Sequence, residues 1–145
     1  MDIAEMKAKA EAGSTVARSM LGLSYLYGDD VPKDYAEALH WLTLASNDGA
    51  SRPMLHLGLM YKQGLGVSVD MEKAFNLCKR SADRGEADAY IQVAKMYREG
   101  MGTERDEQAA LDWYEEAVTA AEKGWHSDLL EEARNYIQSH RSSTN

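Results

Sequence analysis

The chain has 145 residues, 44% hydrophobic and 28% charged, a length and balance that suit one compact domain and exclude a fibre or a membrane-embedded protein. Its formal net charge of −8 would repel phosphate backbones and anionic bilayers, so neither nucleic acid nor a membrane is expected as a partner. The single cysteine, Cys78, cannot form an intramolecular disulfide and fits a reducing compartment; residues 1–6 lack the basic flank and apolar run of a signal peptide, and the expected location is the cytoplasm.

Taken in chain order, residues 2–12 place Ile3, Met6 and Ala10 at helical spacing and stop at Gly13. A second segment sets Ala17, Leu21 and Tyr25 four apart on one helix face, with Gly22 beside them where a missing side chain lets another helix approach. It ends at Gly28, which can adopt the left-handed cap conformation. After about five residues Asp34 stands at an N-cap position, with Glu37 three residues on in a capping-box pattern. The helix that follows buries Ala38, Trp41 and Ala45 and stops at Gly49.

This hairpin then recurs. Leu21-Gly22-Leu23-Ser24-Tyr25 returns as Leu57-Gly58-Leu59-Met60-Tyr61 and as Val93-Ala94-Lys95-Met96-Tyr97, a period of 36 residues. The same offset links Gly28, Gly64 and Gly100; Asp34, Asp70 and Asp106; Ala38, Ala74 and Ala110; and Trp41, Leu77 and Trp113. Gly13 lies one period before Gly49, so residues 2–12 read as a second helix without its first. After the third unit the closing glycine slips three positions to Gly124, and Trp125, Leu129, Leu130, Ala133, Tyr136 and Ile137 predict a last amphipathic helix. The expected organisation is one domain over 1–145: an N-terminal cap (1–13), repeats at 14–49, 50–85 and 86–124, a C-terminal cap (125–140) and a frayed tail (141–145).

Residues 14 to about 121 resemble the Sel1-like repeat family, relatives of tetratricopeptide repeats, whose units read roughly A-x-x-x-L-G-x-x-Y, G-x-G-V, D-x-x-x-A-x-x-W and A-A-x-x-G. Asp30, Pro53, Leu77 and Ala94 depart from that pattern without disturbing its period. The resemblance implies an all-α solenoid, an α-α superhelix of right-handed curvature, with the first helix of each hairpin lining the concave side. It also implies a non-catalytic, cytoplasmic adaptor of bacterial type that binds another protein as a monomer. Small solitary relatives can instead serve as immunity or inhibitor proteins for a neighbouring toxin.

Mapped by that resemblance, the outward first-helix positions are Val16, Ser19, Leu23, Leu26 and Tyr27; Arg52, Leu55, Leu59, Lys62 and Gln63; and Asp88, Ile91, Lys95, Arg98 and Glu99. Arg52, Lys62, Lys95 and Arg98 outnumber Asp88 and Glu99 there, a local reversal of the chain's overall charge. The expected partner is therefore an extended or helical segment with an apolar anchor near Leu23, Leu26, Leu55 and Leu59 and acidic groups further along. The alternative at these positions is that Leu23 and Leu59 are partly core and the cations only solvate a helix face.

Other signals are weak. Gly64-Leu65-Gly66 and Gly100-Met101-Gly102 lack the preceding strand of a phosphate-binding loop and read as turns. Asp29, Asp30 and Asp34 lack a calcium loop's terminal glutamate. His40, His56, His126 and His140 show no metal-ligand spacing, Cys78 lacks a second cysteine or a catalytic signature, and no metal or cofactor is expected. Trp41, Trp113 and the tyrosine column read as helix-packing residues. Disulfide-rich secreted relatives have been proposed to act on β-lactams, and this chain lacks their paired cysteines. A small hydrolase using Asp29, Asp30 and His40 is the distant catalytic alternative, with no nucleophile and base visible to support it.

Overall fold

A computed structural model describes residues 2–143 of the chain. The described residues form eight α-helices and no strand: α1 (Ile3–Glu11), α2 (Thr15–Tyr27), α3 (Tyr35–Asn47), α4 (Ser51–Gln63), α5 (Met71–Asp83), α6 (Ala87–Glu99), α7 (Glu107–Glu122) and α8 (Leu130–Ser143). None is long and apolar enough to cross a membrane.

Repetition of caps explains repetition of helices. Asp34, Asp70 and Asp106 each accept the backbone N–H three residues on, at 3.1, 3.0 and 2.9 Å, starting α3, α5 and α7. Their own N–H groups donate to the carbonyls of Tyr25, Tyr61 and Tyr97 at 2.9–3.0 Å, which folds each loop back on the helix before it. Only half of the Asp34–Glu37 capping box forms: Asp34 N–H is taken by Tyr25, and the Glu37 carboxylate instead accepts from Trp41 Nε1 at 3.1 Å. Gly28, Gly64 and Gly100 end the first helices in the left-handed region, and Asp30 (φ 64°) holds that conformation where Gly66 and Gly102 hold it in later units. A short polar side chain tolerates it.

Each first helix packs against the second helix that follows and against the one before. A methyl group built on Gly22 would stand 2.7 Å from Leu42, and one on Gly58 would stand 2.8 Å from Cys78 Sγ, so glycine there sets the depth of the crossing. The core is a series of interfaces: Met6, Ala10, Ala17, Leu21 and Trp41 at one end; Leu26, Leu42, Met54, Met60 and Leu77 next; Leu55, Phe75, Cys78, Val93 and Met96 next; and Ile91, Tyr114, Ala133 and Ile137 at the other end. Trp41 is buried, whereas Trp113 is half-buried beneath the Lys79 ammonium, 5.6 Å from its ring centre.

Two expectations at the C-terminus need correcting. The last helix starts at Leu130, not Trp125: Trp125 N–H closes the turn onto the Ala120 carbonyl, and the Ser127 hydroxyl and carbonyl accept from Leu129 and Leu130 N–H. Helix α8 runs on to Ser143, through part of the segment expected to fray, and the remaining two residues of that tail lie outside the described residues.

Candidate functional site

The first helices α2, α4 and α6 are aligned in register, so residues 36 apart hold equivalent places. Val16, Arg52 and Asp88 form one column. Met20, His56 and Gln92 form the next, followed by Leu23, Leu59 and Lys95 and by Tyr27, Gln63 and Glu99. On α2 the four positions are spaced 4-3-4 and all are apolar or aromatic. Val16 is 70% exposed, Met20 45% and Tyr27 52%, with Leu23 half-buried between them. The same ridge is mixed on α4 (Arg52, His56, Leu59, Gln63) and polar on α6 (Asp88, Gln92, Lys95, Glu99).

Neighbouring first helices are bound along this ridge. Tyr27 Oη lies 2.7 Å from His56 Nδ1, with the rings edge-on at 88°, joining α2 to α4. Burial, helped by the adjacent Arg52, lowers the His56 pKa to about 4, so the imidazole is neutral near pH 7. Between the two helices lies a cleft of about 250 Å³ lined in part by Tyr27, Lys33, Tyr35, His56, Leu59 and Gln63. Further along, Arg52 Nη1 meets Asp88 at 3.3 Å and Glu86 at 3.7 Å. Arg98 donates to Glu132 (3.1 Å), Glu99 (2.9 Å) and Tyr114 Oη (3.0 Å), and Lys95 approaches Glu132 at 3.8 Å.

The residues expected from sequence to meet a partner separate into two groups. Leu23, Tyr27, Arg52, Leu59, Lys62, Lys95 and Arg98 all present surface. Leu26, Leu55 and Ile91 do not: each is at most 5% exposed and packs in the interfaces between hairpins. In the column of Ser19, Leu55 and Ile91 the two apolar residues turn inward while Ser19 is half-buried, and the neighbouring column of Met20, His56 and Gln92 presents surface in all three units. The local surplus of positive charge also disappears. Glu86, in the turn before α6, and Glu132, from α8, join Asp88 and Glu99 on this face, so four carboxylates stand against Arg52, Lys62, Lys95 and Arg98, and all but Lys62 are held in ion pairs with them.

Groups that could serve chemistry stand apart. Burial raises the Cys78 thiol to about 12, far from a thiolate at neutral pH. Asp29, Asp30 and His40 are exposed, and the His40 ring sits edge-on to Trp41. Among the described residues no three of His, Cys, Asp and Glu gather as metal ligands would.

Residues 15–49, 54–86 and 87–122 each match the Sel1 repeat. Among solved structures, the chain is 31% identical to a Sel1 repeat protein from Oxalobacter formigenes, covering 94% of this chain and 97% of that one with a TM-score of 0.77. It is 36% identical to c5321, a protective antigen of uropathogenic Escherichia coli with an SLR fold, covering 83% of this chain but only 25% of that longer one (TM-score 0.76). Cysteine-rich protein B of Helicobacter pylori shares the fold at 19% identity and a TM-score of 0.65, over 79% of this chain and 87% of that one. No relative of curated function matches. With three matched units in unbroken 36-residue register, the chain belongs to the Sel1 repeat family, whose members generally mediate protein–protein interaction on a typically non-catalytic scaffold.

Proposed function

We propose that this chain is a non-catalytic adaptor whose first-helix face, the concave side of the solenoid, recruits a segment of another protein. The observation that carries this reading is the exposed ridge Val16, Met20, Leu23 and Tyr27: large apolar side chains left in water along one helix mark an interaction surface, whereas apolar residues scattered singly do not. The ridge continues into half-buried Leu59 and the cleft beside Tyr27 and His56, giving an apolar centre with a polar rim at Lys33 and Gln63 and with Arg52 adjacent to His56. Lys95 and Arg98 extend that rim but are already engaged by Glu132, so they contribute orientation more than affinity.

The test is capture of partners by wild type beside two folded variants. Val16→Glu/Met20→Glu/Tyr27→Glu is expected to lose the partner, at a cost of at least about 2 kcal/mol in binding, or roughly thirtyfold. Arg52→Glu/Lys62→Glu/Lys95→Glu/Arg98→Glu is expected to weaken it less. A partner kept by the first variant and lost by the second would move the site to the charged end; one kept by both would remove it from this face.

A further inference from the structure

We propose that the cleft between α2 and α4 receives a glutamate side chain of the partner, its carboxylate paired with Lys33 and its stem lying on the apolar wall at Leu59 and Leu65. This rests on the adaptor reading above and names the chemistry that the partner brings to the site.

The first support is a cation without a counter-charge. Lys33, Val69 and Arg105 share one column of the repeat, and Tyr35, Met71 and Glu107 share another. In the third unit the two columns neutralise each other, since Arg105 donates to Glu107 at 2.7 Å. In the first unit Tyr35 stands where Glu107 would, and the Lys33 ammonium lies 6.0 Å from the centre of its ring. An aromatic face orients an ammonium without neutralising it. Among the described residues no carboxylate comes within ion-pair distance of Lys33, and the adjacent Asp34 is taken by the Glu37 N–H.

The second support is the lining of the cleft, which offers donors and no carboxylate. Asp29 and Asp30 share a loop with Lys33 but stay outside the lining, and with His56 neutral Lys33 is its one charged group among the described residues. The Gln63 amide makes no hydrogen bond among those residues. Tyr27 and His56 hold two polar hydrogens between them, one on the phenol and one on the neutral imidazole, and their 2.7 Å bond uses one. If Tyr27 donates, the other is left on His56 Nε2; if His56 donates, it is left on Tyr27 Oη. Either way the pair keeps a donor that has no acceptor among the described residues.

An acceptor of single negative charge answers this set. A phosphoryl group, with a charge nearer −2, would find one free cation only, because Arg52 is held by Asp88 and Glu86. The wall formed by Leu59 and Leu65 favours a carboxylate on an apolar stem, and glutamate has a longer stem than aspartate. A chain-terminal carboxylate has no stem, so its backbone would have to enter a cleft of only about 250 Å³. Tyr27 belongs both to this cleft and to the exposed ridge, so a segment lying on the ridge passes its mouth.

Selection of a displayed random-peptide library on the wild-type chain, followed by fluorescence-anisotropy titration of the enriched sequences, tests this. The enriched peptides are expected to share a glutamate beside an apolar residue. Lys33→Gln, an exposed substitution checked as folded by circular dichroism, is expected to bind them about fivefold more weakly. Arg105→Gln, the same column in the third unit, should leave their affinity unchanged. Lys33→Glu should reject them and bind again once the peptide glutamate is replaced by lysine, an exchange that reports direct pairing and that a disturbed fold would not produce. Enriched peptides without an acidic residue, equal affinity of wild type and Lys33→Gln, enrichment confined to a free C-terminus, or no enrichment at all would each overturn the inference. In all four cases the adaptor reading stands as long as captured partners depend on Val16, Met20 and Tyr27. A partner indifferent to those three side chains would instead sink the adaptor site itself.

Discussion

Replacing Gly102 by alanine is expected to destabilise the chain by about 3 kcal/mol and to lower its thermal midpoint by roughly 10 °C. Gly102 sits at φ 72°, and a methyl group there would run into the backbone carbonyl of Met71, at the start of the second helix of the preceding unit. Backbone cannot move aside as a flexible side chain can, so the loop between α6 and α7 has to lift off α5. Gly85, at φ 92° with nothing within 4 Å of the added carbon, provides the comparison: Gly85→Ala carries only the left-handed strain, about 1–2 kcal/mol. Equal melting of the two variants would show that the loop does not rest on the preceding hairpin.

Leu55→Ala is expected to cost 2–5 kcal/mol of stability, in line with roughly that range for buried leucines, while leaving the affinity of the folded protein for its partner unchanged. The leucine is buried among Ala74, Phe75, Cys78 and Val93, where truncation leaves a cavity inside the core and removes no side chain that presents surface. Met20→Glu should do the reverse, since its side chain is in water and its loss empties no core. Denaturant titration and partner binding measured on both proteins separate the two roles. Loss of binding by folded Leu55→Ala would return that column to the site.

The hairpins were legible because one residue type serves one physical role at every turn of the solenoid: Asp34, Asp70 and Asp106 cap, Gly28, Gly64 and Gly100 end a helix, and Ala38, Ala74 and Ala110 pack. The outward face was less legible. Ser19 is polar, and it marks its column as exposed when only the first unit is read. The same column holds Leu55 and Ile91, and their apolar side chains were the available sign that it turns inward, as their burial shows. Met20 was missed because a methionine four residues after Val16 reads equally well as core. The partners of the cations were harder still to find. Glu132 belongs to α8, which follows the slipped glycine Gly124 and so lies in no 36-residue column. Likewise Tyr25 took the Asp34 N–H that a full capping box requires, through a loop contact that local spacing does not encode.

The face assignment is tested most directly by photo-crosslinking from single sites in the presence of the captured partner. A photoreactive residue at position 20, on the exposed ridge of α2, should join the partner covalently; one at position 76, an exposed place on the second helix α5, should not. Crosslinking from position 76 with none from position 20 would contradict the account and put recognition on the second-helix face.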